Sequence, residues 1–172
     1  MWASFTTGTY PFLSQLAKRH KKESFYFMQD GHRTLLYYEH RRRKSIFVSG
    51  HTYKIVEQDG QFIKKGYVTM HHLPIAENGS KLFEDQVKQR FPQLTQRTGV
   101  LAMRLLKHRR KTEYILLTLW ESKRDEERWK ESPFYEEENV QRFAPLSAYF
   151  LERPFTKAYS MIDDDEDEAD LL

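Results

Sequence analysis

Histidine is the side chain that titrates nearest neutrality, and as a neutral imidazole it ligates iron or zinc. The chain has seven histidines, all at or before His108. His71 and His72 are adjacent in a run from Tyr67 to Ile75 that reads as a strand. Neighbours on a strand point to opposite faces, so the pair does not readily share one metal, and one histidine faces any given pocket. Downstream, Trp129 stands in a helical stretch whose other residues are nearly all charged, with Tyr135 and Asn139 following it. Each has a plain structural reading: packing for Trp129 and Tyr135, a solvated helix position for Asn139, a surface or structural place for either histidine. The chain has no cysteine, which excludes thiolate catalysis, disulfides and cysteine-based zinc sites and fits a reducing, cytoplasmic setting. There is no phosphate-cradling loop and no Gly-x-Ser-x-Gly elbow, and the carboxylates are not paired as hydrolytic chemistry requires.

The elements that must position these residues fall into two parts. In the first, Trp2 to Thr6 reads as a short strand, and Gly8-Thr9-Tyr10-Pro11 opens a helix with proline at its start. Phe12, Leu13, Leu16 and Ala17 give that helix an apolar face, and Lys18 to Lys22 suit its negative end. Ser24 to Met28 and Arg33 to Tyr38 form a hairpin around Asp30-Gly31, and Ser45 to Val48 and Tyr53 to Glu57 are further strand candidates. The second part reads more regularly. After the strand that carries the histidine pair, Asn78-Gly79-Ser80 caps a helix with the apolar stripe Leu82, Phe83, Val87 and Phe91. Val100 to Leu106 and Tyr114 to Trp120 are strands, Ser122 with Asp125 is a capping box, and Ser132-Pro133 opens another helix. Val140 and Phe143 read as core, and Tyr149 to Leu151 and Phe155 to Ser160 as closing strands. The order β-α-β-β-α-β is the split βαβ arrangement, with helices on one sheet face and the other face needing cover.

Charge is segregated along the chain. With 28 basic and 25 acidic residues the net charge is +3, but seven of the acids lie between Asp163 and Asp170. Without them 28 basic residues face 18 acidic ones, a body of about +10. The acidic run repels itself and has nothing apolar to bury, so it reads as a disordered tail. Lys18–Lys22, 40–44 and Lys107–Lys111 are basic clusters. They suit an anionic partner, but no nucleic-acid-binding motif accompanies them. No run of about 18 apolar residues is present to span a membrane.

The stretch Ile115-Leu116-Leu117-Thr118-Leu119-Trp120-Glu121-Ser122, then Trp129-Lys130-Glu131-Ser132 and Tyr135, resembles the antibiotic-biosynthesis-monooxygenase family, in particular its haem-degrading monooxygenases. Gly8-Thr9-Tyr10 with Phe12-Leu13, and Tyr53-Lys54-Ile55-Val56 before Asp59-Gly60, resemble the longer HmoB-like members and their TRAP-like signalling relatives. Members that cleave haem use an asparagine on the domain's first strand, a porphyrin-ruffling tryptophan on the second helix, and an iron-ligating histidine ten residues after that tryptophan. The tryptophan corresponds to Trp129, while His72 stands at the asparagine position and Asn139 at the histidine position. Two residue types are thus exchanged, and Tyr135 takes the family's aromatic position.

The resemblance implies an α+β fold: a ferredoxin-like domain of the dimeric α+β barrel type with an N-terminal β-rich extension. The expected divisions are a strand-helix-strand module at 1–61, the ferredoxin-like domain at 62–161 and the acidic tail at 162–172. Two functions remain open. One is a cytoplasmic haem-degrading monooxygenase that holds haem, as substrate and cofactor, between sheet and later helices, supplied by an external electron donor. There His72 is the iron ligand, Trp129 shapes the porphyrin, Asn139 contacts the ligand on the iron, and Tyr135 lines the site. The other is a non-enzymatic, TRAP-like regulatory protein. The chain is expected to act as a monomer with an internal pseudo-dimer or as a homodimer.

Overall fold

The computed structural model of the chain describes residues 1–142 and 146–163. Its elements are β1 (Trp2–Gly8), α1 (Tyr10–Arg19), β2 (Phe25–Gln29), β3 (Thr34–His40), β4 (His51–Gly60), β5 (Tyr67–Pro74), α2 (Glu77–Thr95), β6 (Val100–His108), β7 (Glu113–Trp120), α3 (Lys123–Glu131), the short α4 (Tyr135–Glu138) and β8 (Phe155–Ile162). The strands close into one antiparallel barrel in the order β1-β3-β2-β8-β5-β7-β6-β4.

That order contains the same pattern twice. The later four strands lie as β8-β5-β7-β6 and the earlier four as β4-β1-β3-β2. In each set the sequence is fourth, first, third, second, which is the ferredoxin-like arrangement. The sets join edge to edge through β2 with β8 and β4 with β6. The N-terminal part is therefore a second ferredoxin-like unit, and it supplies within one chain the strands that cover the open edges and face of the first.

The expected strand at Ser45–Val48 is a loop. β1 already has β3 on one side and β4 on the other, both antiparallel to it, so β3 and β4 run the same way. The connection must then cross the outside of the barrel from one end to the other. Ile46 and Phe47 pack on the apolar layer under α1, and the Ile46 amide donates to the Tyr38 hydroxyl at 2.8 Å. This loop takes the place of the unit's second helix. On α1 itself Leu13 is buried but Phe12 is exposed, so the expected apolar face is narrower by that residue.

α2 begins at Glu77, ahead of the expected Asn78–Ser80 cap, and no side chain caps it. Gly79 and Ser80 are buried inside its first turn instead. A Cβ on Gly79 would lie 2.5 Å from the Tyr149 ring, so the glycine lets that ring lie on the helix. The Ser80 hydroxyl hydrogen-bonds the Tyr114 hydroxyl across to β7. The expected helix after Ser132-Pro133 is the single turn α4, and the expected strand around Tyr149–Leu151 is one bridge between Phe150 and Ile75. Val140 is buried as expected, whereas Phe143 and residues 164–172 of the acidic run lie outside the described residues.

Side chains alternate along each strand, and the two faces bury different layers. Phe5, Met28, Leu35, Tyr37, Tyr53, Val68, Met70, Leu106, Ile115, Leu117 and Tyr159 belong to the inner cluster, with Phe62 against it. The barrel is thus a packed core rather than a channel. Outside, α2 lays Phe83, Val87, Phe91 and Leu94 on Leu73, Met103, Leu105 and Leu116, while Leu13 of α1 covers Phe25, Phe27, Leu36 and Tyr38. Among the described residues, no helix is long and apolar enough to cross a membrane.

Candidate functional site around Trp129

α3 is set by its N-terminus. The Ser122 hydroxyl donates to Asp125 Oδ2 at 2.7 Å and accepts from the Asp125 amide at 3.4 Å, the expected capping box. Gly99, at φ +84°, lies directly beneath, because a Cβ there would sit 2.4 Å from Asp125. Gly99→Ala is expected to lower stability by about 2 kcal/mol or more, from the left-handed backbone together with displacement of the cap. Urea unfolding checks the loss, and near-ultraviolet circular dichroism checks whether the Trp129 environment moves with it.

From this helix Trp129 turns inward and is buried. Its ring lies 5.6 Å from that of Trp120 on β7 and 4.9 Å, edge-on, from that of Tyr135. The indole N–H donates to Glu138 Oε2 at 2.9 Å. The Arg97 guanidinium lies over the Trp129 face at 4.2 Å and approaches the same carboxylate oxygen at 3.5 Å through Nε. Burial pulls Arg97 down to about 10, with Glu138 acting against it, so it remains a cation at neutral pH. Asn139 is buried beside this group: its Nδ2 donates to the Tyr135 hydroxyl at 3.2 Å, and its Oδ1 accepts from the Gln141 amide. A cleft of about 460 Å³ opens alongside. Its described lining comes from the end of α2 and the residues after it (Gln93, Arg97, Thr98) and from α3, α4 and the turn between them (Trp129, Glu138, Phe134).

Of the four residues singled out by sequence, the fold gathers Trp129, Tyr135 and Asn139 and separates His72 from them. His72 shares the strand face of Val68 and Met70, which belong to the inner cluster. There its ring stacks on Phe155 at 4.5 Å, with Nδ1 3.9 Å from Glu113 at one end of the barrel. Strand alternation thus turns His72 to the inner face, away from the group around Trp129 and Asn139. The outward histidine is His71, on the same face as Thr69, whose hydroxyl accepts from the Trp120 indole at 3.1 Å. His71 Nδ1 is 2.9 Å from the Thr156 hydroxyl and 3.3 Å from Gln141 Nε2. Burial, and then Arg97 and Lys130, pull it down to about 4, so the ring is neutral at pH 7.

Sequence reasoning missed Arg97 and Glu138. Glu138 ends the acidic run Glu136-Glu137-Glu138, and Arg97 lies outside the three basic clusters and every motif. The signal available was Trp129 itself: a buried indole N–H needs an acceptor, and the acidic run follows seven to nine residues later.

Residues 67–138 match the antibiotic biosynthesis monooxygenase family. Over 132 residues the chain is 23% identical to a haem-degrading monooxygenase of Listeria monocytogenes, covering 77% of this chain and 78% of the relative. Among solved structures, it is similar to a major regulator of staphylococcal pathogenesis at a TM-score of 0.83 and 18% identity, covering 95% of this chain and 100% of that one. It is also similar to LmHde, a haem-degrading enzyme from Listeria monocytogenes, at a TM-score of 0.74 and 20% identity, covering 93% and 99%. These structural likenesses carry the fold.

Proposed function

We propose that this chain, which carries an antibiotic biosynthesis monooxygenase domain over residues 67–138, binds haem beside Trp129 and cleaves it oxidatively. Haem is here the substrate, with the reductant and dioxygen supplied from outside. The observation that carries the reading is the cleft of about 460 Å³ with an indole and a guanidinium in its wall. Its size is within the range of cofactor pockets, and a flat aromatic ligand with acidic substituents suits that pair of groups. Trp129 and Phe134 supply apolar surface, Arg97 supplies positive charge, and Tyr135 with Asn139 braces Trp129 from behind. No imidazole is among the described lining residues. His71 is the histidine on the Trp129 side of β5, held by Thr156 and Gln141.

A second reading, a regulatory protein without turnover, is favoured by the Arg97–Glu138 pair. It occupies both the face and the ring nitrogen of the indole. Haemin titration of the purified chain, followed by ascorbate in air with catalase present, separates the two. The monooxygenase reading expects a saturable one-to-one Soret band that decays on reduction. The band should weaken by an order of magnitude or more in Trp129→Ala and persist in His72→Ala, whose side chain faces the barrel interior. A stable band that survives reduction supports binding without cleavage, and the absence of a saturable band overturns haem binding altogether.

A further inference from the structure

We propose that Arg97 is the carboxylate-recognition residue of the Trp129 cleft, so that the cleft selects flat aromatic ligands bearing an acid group. This rests on the haem reading and names the feature of the ligand that is recognised, its carboxylate side chains.

The argument starts from what the guanidinium lacks. A buried arginine brings five N–H donors in a rigid fork and costs stability for each one left unmet. Arg97 Nε donates to the Leu94 carbonyl at 2.9 Å, and among the described residues Nη2 reaches only the Met103 sulfur at 4.0 Å. Nη1 is buried and has no hydrogen-bond partner among the described residues. The side chain retains only 7% of its exposure, yet it belongs to the cleft wall.

Its one counter-charge among the described residues is shared. Glu138 Oε2 stands 3.5 Å from Nε and is also the acceptor for the Trp129 indole at 2.9 Å. A carboxylate divided in this way leaves the far edge of the guanidinium electrostatically open. The same guanidinium is stacked over Trp129 at 4.2 Å and near Trp120 at 5.4 Å, which fixes its orientation before any ligand arrives. A ligand with an aromatic body against the cleft's apolar wall and a carboxylate on Nη1 would satisfy the orphaned donor with a charge-assisted bond away from competing water. The remaining described lining includes Arg128 as a second cation and Asp125 as an acid, with Gln93, Gln96, Thr98 and Ser132 neutral. Arg97 is therefore the cation that is both held in place and short of a partner.

The test uses the full chain and two iron-free probes, protoporphyrin IX and its dimethyl ester, titrated by quenching of tryptophan fluorescence. Omitting the metal removes iron ligation from the comparison. The wild type is expected to bind the diacid about tenfold or more tightly than the diester. Arg97→Gln should abolish the preference, so that diacid and diester bind this variant equally, and Arg97→Lys should restore part of it. Should Arg97→Gln fail to fold, as judged by circular dichroism, the wild-type comparison and Arg97→Lys still decide the matter. Equal binding of acid and ester by the wild type, or a preference that survives Arg97→Gln, overturns the role of Arg97. If haemin nevertheless gives its saturable band, the haem reading stands without it. If neither porphyrin nor haemin binds, both fall.

Discussion

Replacing Arg104 with methionine is expected to remove about 3 kcal/mol of stability, among the largest losses a single exchange in this chain should produce. Arg104 shares the inward strand face of Ala102 and Leu106 on β6, and Glu39 shares that of Leu35 and Tyr37 on β3. The two meet with Nε 2.9 Å from Oε2 and Nη2 3.3 Å from Oε1. Nη1 also donates to the carbonyls of Asp59 and Met103 at 2.8 Å, and Nη2 to that of Gly60 at 2.9 Å. The guanidinium lies 4.9 Å from the Phe62 ring centre. This fork ties one ferredoxin-like unit to the other. Deleting it strands the Glu39 carboxylate in a largely apolar enclosure, which costs more than the pair itself contributes. The figure is near the low end of the range for buried pairs because Glu39 keeps 18% of its side-chain exposure. Urea unfolding of Arg104→Met and of Arg104→Met/Glu39→Leu checks the cause. The double variant should lose less than the single one, and equal losses would place the energy in the carbonyl contacts instead.

This pair also marks where sequence reading stops. The later unit was legible because its signals are local. The nearly continuous apolar run from Tyr114 to Trp120, the apolar stripe of α2 and the Ser122–Asp125 box each specify an element without help from the rest of the chain. The earlier unit read only as a β-rich extension, although it repeats the same strand order. Its second helix is replaced by the loop around Ile46 and Phe47, and nothing local in Ser45–Val48 reveals that β1 already has two partners. Closure into a barrel depends on the contacts of β2 with β8 and β4 with β6, which join residues far apart in sequence. The site divides in the same way. Trp129, Tyr135 and Asn139 lie within ten residues of one another and were found together. Arg97, in the connection between α2 and β6, reaches Trp129 only through the tertiary fold, and the choice between His71 and His72 turns on strand phase. A phase shift of one residue moves a side chain through the sheet.

Acidification from pH 7 to pH 5 is expected to destabilise the protein by about 3 kcal/mol, chiefly through these two histidines. Burial holds His71 and His72 each at about 4, against an ordinary value of 6.5. Arg97 and Lys130 reinforce the effect at His71, while at His72 Lys157 reinforces it and Glu113 opposes it. A depressed histidine stays neutral in the fold while the unfolded chain takes up its proton, so the unfolded state binds more protons throughout this window. The stability present above pH 6.5 is therefore lost as pH falls toward 4. His40 and His108, also lowered mainly by burial, act in the same direction. The carboxylates whose ionised forms the fold favours, such as Glu84 and Asp30, lose their contribution only below their ordinary values of 4.5 and 3.8. A loss between pH 6.5 and 5 thus belongs to histidine. Urea midpoints measured across that range should fall steeply in the wild type and about half as steeply in His71→Gln or His72→Gln. A slope unchanged in both variants would remove these two residues from the account. The two variants also separate two events. His71 shares Arg97 with the wall of the Trp129 cleft, so its protonation should weaken ligand binding along with the fold. His72 shares Glu113, Phe155 and Lys157 with the end of the barrel, so its protonation should loosen the barrel and leave binding to the surviving folded fraction unchanged.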